Sequence, residues 1–139
     1  MLKARINSRR IEAGCDEVGR GCLAGPVVAA AVILPPRFKH EKLNDSKKLS
    51  EKTRLELTKL IKENALAWAV SFVEPAIIDR INILNASFLA MERAVKRLEI
   101  IPEHLLIDGN RFKPADEIPY ECIIKGDGKF YSIAAASVL

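Results

Sequence analysis

The stretch that decides the fold is IEAGCDEVGRGCLAGPVVAAAVIL, residues 11–34. Its first part, IEAGCD at 11–16, is typical of a short strand, and Gly19 and Gly21 then supply turn chemistry. The wholly apolar run VVAAAVIL at 27–34 stops at two prolines, which predicts a second strand. Two successive strands so near the start predict that the fold is built on a sheet.

The remainder of the chain predicts further strands with helices around them. Ser50 is a suitable N-cap for a helix that runs to about Glu63. Between Ile83 and Glu99, apolar residues recur four, three, four and three positions apart, which gives one helical stripe. The other predicted elements are strands at 65–73, 104–107 and 120–124, a short helix from Pro75, and a last helix over SIAAASVL, residues 132–139. This order predicts an α/β protein with a mixed sheet flanked by helices.

Composition favours one globular domain over residues 1–139. No run of about 18 apolar residues is present, which predicts no membrane span. The basic N-terminus lacks the apolar core of a signal peptide, so we expect a cytoplasmic protein. Three cysteines without a CxxC spacing exclude a disulfide framework and disfavour zinc. A net charge of +4 permits a polyanionic partner such as nucleic acid.

Four acidic residues stand where predicted strands end, namely Asp16, Glu17, Asp108 and Asp127. Sites in sheets with parallel strands gather outside the carboxyl ends of those strands. Asp108 and Asp127 are each followed by glycine, however, and ordinary turns have the same composition. Asp16 and Glu17 repel each other and resist burial, and a cation would relieve both penalties. An all-oxygen ligand set favours Mg²⁺ or Mn²⁺.

The neighbouring pair Asp16-Glu17 raises a geometric question. Adjacent strand residues point to opposite faces. The two side chains therefore converge on one ion only if the regular strand ends between them, or if one residue contributes its backbone carbonyl. The turn that follows at Gly19 makes the first arrangement plausible.

Two polar stretches are candidate phosphate-binding segments. Gly19-Arg20-Gly21 lets the backbone approach a ligand closely and adds a forked guanidinium donor. The segment 44–50, with Asn44, Ser46 and Lys47, places small donors and lysines before a helix N-terminus. On composition alone, the first is also an ordinary glycine turn and the second a solvated loop with a helix cap.

Several separated motifs, taken together, resemble ribonuclease HII, the type 2 ribonuclease H family in its bacterial form. They occur in the family's order and span nearly the whole chain from about residue 11. The motifs are AGCDEVGRGCLAGPVVAAAVIL (13–34), LNDSKKLSEK (43–52), INILNASFLAMERAV (81–95), LLIDGNR (105–111) and KGDGKFYSIAAASVL (125–139).

The resemblance implies a ribonuclease H-like fold, a five-stranded mixed sheet whose first three strands are antiparallel. It implies an endonuclease, dependent on Mn²⁺ or Mg²⁺, that cuts the RNA strand of RNA–DNA hybrids and cuts 5′ of single ribonucleotides in duplex DNA. Asp16, Glu17, Asp108 and Asp127 would hold two cations. The resemblance also implies substrate contacts for Gly19, Arg20 and Gly21, and for Asn44, Ser46 and Lys47.

The resemblance also has a departure. Family members continue past this point with more helix and a Gly-Tyr-Pro-Thr-like motif whose tyrosine stacks on the sugar at the DNA–RNA junction. We therefore expect this chain to be a shortened form whose activity is weaker or less specific for junctions. Two other functions stay open at this stage: nucleic-acid binding without turnover, and a phosphatase or nucleotide hydrolase that uses the same carboxylates.

Overall fold

The predicted strands and helices are present and occur in the predicted order along the chain. The structure is a computed structural model that describes residues 2–19, 25–43, 49–113 and 117–139. The described strands are β1 (Glu12–Gly19), β2 (Val27–Ile33), β3 (Ala67–Val73), β4 (His104–Asp108) and β5 (Tyr120–Ile123). The described α-helices are α1 (Glu51–Asn64), α2 (Pro75–Lys96) and α3 (Tyr131–Val138), and a 3₁₀ turn at Gly126–Gly128 precedes α3.

The five strands form one mixed sheet in the order β3-β2-β1-β4-β5. The pairs β1–β2 and β2–β3 are antiparallel, whereas β1–β4 and β4–β5 are parallel. The predicted α/β class and the antiparallel order of the first three strands are therefore confirmed. Because β1 and β4 run in parallel, their carboxyl ends finish at the same end of the sheet.

Helices cover both faces of the sheet, and β1 contributes alternate residues to each. Ala13 and Cys15 belong to the core cluster under α2, together with Phe88 and Met91. The other face carries α1 and α3, with a second core cluster that includes Ala134 of α3. On this alternation, residues 14 and 16 of β1 face α3, and residue 17 faces α2.

The largest differences from the predicted boundaries concern β1 and α2. The strand β1 does not stop at Asp16 but continues to Gly19, because β2 offers paired backbone as far as Val28. A register shift follows Glu17. The short helix predicted from Pro75 and the longer helix predicted from residue 83 are contiguous in α2, which ends at Lys96.

Asn82 marks the junction between those two helical segments. Its backbone is non-helical, with φ 71° and ψ 169°. Its side-chain Oδ1 accepts the N–H of Asn85 at 3.0 Å, so it caps the second segment as an N-cap residue does. Within the part of the chain that the structure describes, no helix has the length and apolarity needed to cross a bilayer.

Gly14 sets how closely α3 packs on β1. A Cβ at this position would lie 2.3 Å from the carbonyl carbon of Ser132 and 2.4 Å from the nitrogen of Ile133. Both are backbone atoms of α3, so the helix itself would have to move. We expect Gly14→Ala to lower the free energy of unfolding by about 3 kcal/mol, the upper range for overpacking.

Urea unfolding followed by circular dichroism measures this loss. Gly128→Ala is the matched control, because a Cβ at Gly128 has no neighbour within 4 Å among the described atoms. Equal stabilities of the two variants would show that the close contact of α3 with β1 is not required.

Candidate active site

Asp16 and Asp108 lie side by side on neighbouring parallel strands. The register pairs Cys15 with Ile107, so the next residue on each strand occupies equivalent positions at the carboxyl end of the sheet. Both side chains project to the face that carries α3, and a hydrogen bond joins their carboxyl groups. Two carboxylates far apart in sequence are thus brought together by the strand register alone.

The charge state of this pair is strongly perturbed. Burial raises the pKa of Asp16 to about 8, and the charge of Asp108 and the hydrogen bond with it act in the same direction. The charge of Asp127 adds a smaller increase. The backbone N–H of Glu17 donates to Asp16 Oδ1 at 2.7 Å and opposes the shift. Near neutral pH the raised pKa therefore favours the protonated form of Asp16, and a bound cation would displace that proton.

The turn after β5 fixes the position of Asp108 and supplies Asp127. The backbone N–H of Gly126 donates to Asp108 Oδ1 at 2.7 Å. Lys125 makes the preceding bend in the left-handed region, with φ 56° and ψ 40°. Asp127 follows in the 3₁₀ turn, half-buried and close enough for its charge to act on Asp16.

Glu17 lies at the same end of the sheet but on the opposite face. Its Oε1 accepts a hydrogen bond from the hydroxyl of Ser87, a buried residue of α2. The strand is regular through Asp16 and Glu17, so of the two arrangements considered from the sequence, an end of regular strand between them is wrong. The two carboxylates instead flank the terminal part of β1 from its two sides.

Ser87 is a residue that the sequence reasoning did not single out. It stands next to Phe88 in the apolar stripe of α2 and is itself buried. A hydroxyl on the buried side of an amphipathic helix needs a polar partner in the core. A serine within the apolar stripe of a helix is therefore the sequence feature that could have predicted a buried hydrogen bond here, although it does not identify Glu17 as the partner.

The donor set suits a hard divalent cation. Within the described ranges, no group of three or more His, Cys, Asp or Glu side chains is placed to hold a metal ion by itself. Mg²⁺ commonly uses one or two carboxylates and keeps waters or substrate phosphates as its other ligands. The Asp16–Asp108 pair, with its all-oxygen donors, fits such an ion and does not fit zinc.

The structure describes only some of the remaining predicted site residues. Gly19 is the last residue of β1 and pairs with Val28. Ser50 is the N-cap of α1, where its Oγ accepts the N–H of Thr53 at 3.2 Å, so its predicted capping role is confirmed. The other five lie outside the described residues: Arg20, Gly21, Asn44, Ser46 and Lys47.

Comparison with known proteins shows the family of this chain. The family model for ribonuclease HII matches residues 13–139. A ribonuclease HII of Parabacteroides distasonis is 63% identical over 139 residues, which cover 100% of this chain and 70% of that protein. The chain belongs to the ribonuclease HII family. It is thus a ribonuclease H-type enzyme, and the resemblance seen in the sequence is confirmed.

Solved structures share the fold with this ribonuclease HII chain. The ribonuclease H2 of Pyrococcus horikoshii OT3 superposes with a TM-score of 0.78 at 23% identity, covering 91% of this chain and 68% of that one. A structure of Bst-RNase HIII in complex with Mn²⁺ has a TM-score of 0.76 at 23% identity, covering 93% of this chain and 50% of that one. At these identities the likeness concerns the ribonuclease H-like fold.

Proposed function

We propose that this ribonuclease HII chain hydrolyses the RNA strand of RNA–DNA hybrids and cuts 5′ of single ribonucleotides embedded in duplex DNA. The products would be a 5′-phosphate and a 3′-hydroxyl. Two divalent cations, Mg²⁺ or Mn²⁺, would be held by Asp16, Glu17, Asp108 and Asp127. The observation that supports the proposal is the Asp16–Asp108 pair at the shared end of two parallel strands, with Asp127 beside it.

The chain's own residues supply orientation and charge for this chemistry. Bound divalent cations lower the pKa of a water and stabilise the leaving 3′ oxygen. Asp108 is held by the Gly126 N–H at one oxygen, which leaves the group fixed before any cation arrives. Glu17 lies on the opposite face, so its carboxylate would approach the cations from the α2 side around the carboxyl end of β1, with Ser87 setting its orientation. A preorganised group loses little free energy when it binds, which favours tight placement of the scissile phosphate.

The distinction between RNA and DNA requires a group that contacts the 2′-hydroxyl. That hydroxyl is the one feature that separates the two sugars at a given position. We assign this contact to the backbone of Gly19-Arg20-Gly21, with Arg20 on a neighbouring phosphate, because Gly19 lies only two residues after Glu17 on β1. Asn44, Ser46 and Lys47 would line the groove for the rest of the duplex.

A cleavage assay tests the proposed function. The substrates are an end-labelled RNA–DNA hybrid, a DNA duplex with one ribonucleotide, and the same duplex without it, each with Mg²⁺ or Mn²⁺. We expect cleavage of the first two only, with the cut 5′ of the ribonucleotide. Release of phosphate from free nucleotides without cleavage of the hybrid would instead assign a nucleotide hydrolase. Binding without turnover at any enzyme concentration would assign a binding protein.

Ser87 is expected to act as a positioning residue for Glu17. Ser87→Ala should raise the divalent-cation concentration that gives half-maximal cleavage by about tenfold, because loss of a group that orients a metal ligand weakens metal affinity. We expect kcat at saturating cation to change little. Cation titrations of the cleavage rate measure both quantities.

Ser137→Ala is the matched control for this measurement. Ser137 is also buried, but its hydroxyl donates to Ala134 O within α3 at 2.6 Å. An unchanged cation requirement in Ser87→Ala would show that the hydroxyl only satisfies the core.

A further inference from the structure

A pocket opens at the end of the sheet where the carboxylates lie, on the face that carries α2. It has a volume of about 440 Å³. Its polar lining comes from Asn85 of α2 and from Asn110, Arg111 and Lys113, which follow β4. The predictions made from the sequence did not use these four residues as ligand contacts. They form a separate cluster from the carboxylates.

The charge of this pocket is one-sided. Arg111 and Lys113 are exposed, and none of the lining residues is acidic. Within the described ranges, neither cation has a hydrogen-bond or ion-pair partner. A forked guanidinium and an ammonium at one mouth are donors suited to phosphate groups.

The floor of the pocket is aromatic. Phe112 makes edge-to-face contacts with Phe88, at 5.8 Å between ring centroids, and with Tyr120, at 5.2 Å. The hydroxyl of Tyr120 donates to the backbone oxygen of Phe112 at 3.2 Å, which fixes its ring. Cations at the rim over a rigid aromatic floor are the usual means of holding a nucleotide strand, with phosphates at the rim and a sugar or base on the rings.

The pocket lies close to the carboxylates, because several of its lining residues follow Asp108 within a few positions of the chain. Arg111 is three residues from Asp108, so the two Cα atoms are at most about 11 Å apart. A nucleic-acid strand advances about 3.4 Å per nucleotide along the duplex axis. On the α2 face, Ser87, which holds Glu17, is two residues from Asn85. A strand whose scissile phosphate lay at Asp16 and Asp108 would thus have a nucleotide within about three positions at the pocket.

We propose that the pocket formed by Asn85, Asn110, Arg111 and Lys113 over Phe112 and Tyr120 binds the substrate strand at a nucleotide flanking the cut. This inference rests on the proposed function. It adds a second contact that holds the substrate independently of the cations and of the 2′-hydroxyl. The pocket contributes affinity to the hybrid and not chemistry at the scissile bond.

The test is the double variant Arg111→Gln with Lys113→Gln, studied by fluorescence anisotropy of a labelled RNA–DNA hybrid without divalent cation. We expect Kd to rise about tenfold and the slope of log Kd against log salt to fall by about 2, about one for each lost phosphate contact. With cation present, KM should rise similarly and kcat should stay within about twofold.

The control is Lys96→Gln with Arg97→Gln, which removes two exposed cations at the C-terminal end of α2, about 16 Å along the helix from Asn85. If both double variants have the same Kd and salt slope, the proposal is wrong. A fall in kcat with unchanged Kd would also overturn it. Cleavage by the unaltered chain reports on the proposed function separately, so the two failures are distinguishable.

Cys122 gives an independent readout, because this half-buried free thiol lines the same pocket. Bound hybrid should slow its alkylation at least severalfold, as followed by peptide mass spectrometry. The fully buried Cys15 serves as the unreactive reference. Alkylation of Cys122 at the same rate with and without saturating hybrid would exclude a strand in the pocket.

Discussion

Asp108→Asn is expected to lower kcat on an RNA–DNA hybrid by about 1000-fold without lowering Tm. The carboxylate of Asp108 would help to hold the catalytic cations, and loss of about 4 kcal/mol of their stabilisation of the transition state corresponds to that factor. The amide oxygen of asparagine still accepts the Gly126 N–H, so the turn after β5 is retained. Removal of one charge also relieves repulsion at Asp16, which keeps the fold at least as stable.

Steady-state cleavage rates and thermal unfolding by circular dichroism measure the two effects. Glu63→Gln provides a control that removes an exposed carboxylate at the end of α1. A rate within tenfold of the unaltered chain would remove Asp108 from the cation site. A large fall in Tm would mean instead that the carboxylate is needed for folding.

The strands, and the end of the sheet where a catalytic site is expected, could be predicted from the sequence. The apolar run at 27–34 and the segments leading to Asp16 and Asp108 predict strands from local pattern alone. The placement of acidic residues where strands finish follows from the same pattern, because parallel strands finish together. Family resemblance supplied the antiparallel arrangement of the first three strands, which local periodicity does not contain, whereas the strand order comes from the structure.

The extent of β1 and the contact of Glu17 with Ser87 could not be predicted from local sequence, because they depend on long-range packing. The strand β1 continues through Glu17 because β2 pairs with it, and this pairing sends Glu17 to the α2 face. Nothing in the local sequence names Ser87 as its partner, 70 positions away.

The burial of Glu12 at the start of β1 could not be predicted from local sequence either. It is fully buried because Arg10 and the backbone N–H groups of Ile6 and Asn7 all donate to its carboxylate. Such a satisfied buried charge depends on the path of the preceding segment, which residue types alone do not fix.

The metal-free chain is expected to lose stability as the pH rises from 5 to 8, and Asp16→Asn should remove most of that loss. The pKa of Asp16 is raised to about 8 in the fold by burial and by Asp108, against 3.8 for an unperturbed aspartate. Between these values the unfolded chain releases a proton that the folded chain retains, so rising pH favours unfolding. We expect a loss of about 2 kcal/mol over this range, since Asp16 is only half-buried.

Urea unfolding in EDTA at pH 5, 6.5 and 8 measures the loss, with Glu63→Gln again as the charge control. Addition of Mg²⁺ or Mn²⁺ at pH 8 should restore stability to the unaltered chain, because a ligand that binds only the folded state stabilises it. The same addition should have little effect on Asp16→Asn. Stability that is independent of pH in EDTA, together with equal responses of both proteins to the cation, would show that Asp16 and Asp108 do not form a cation-binding pair.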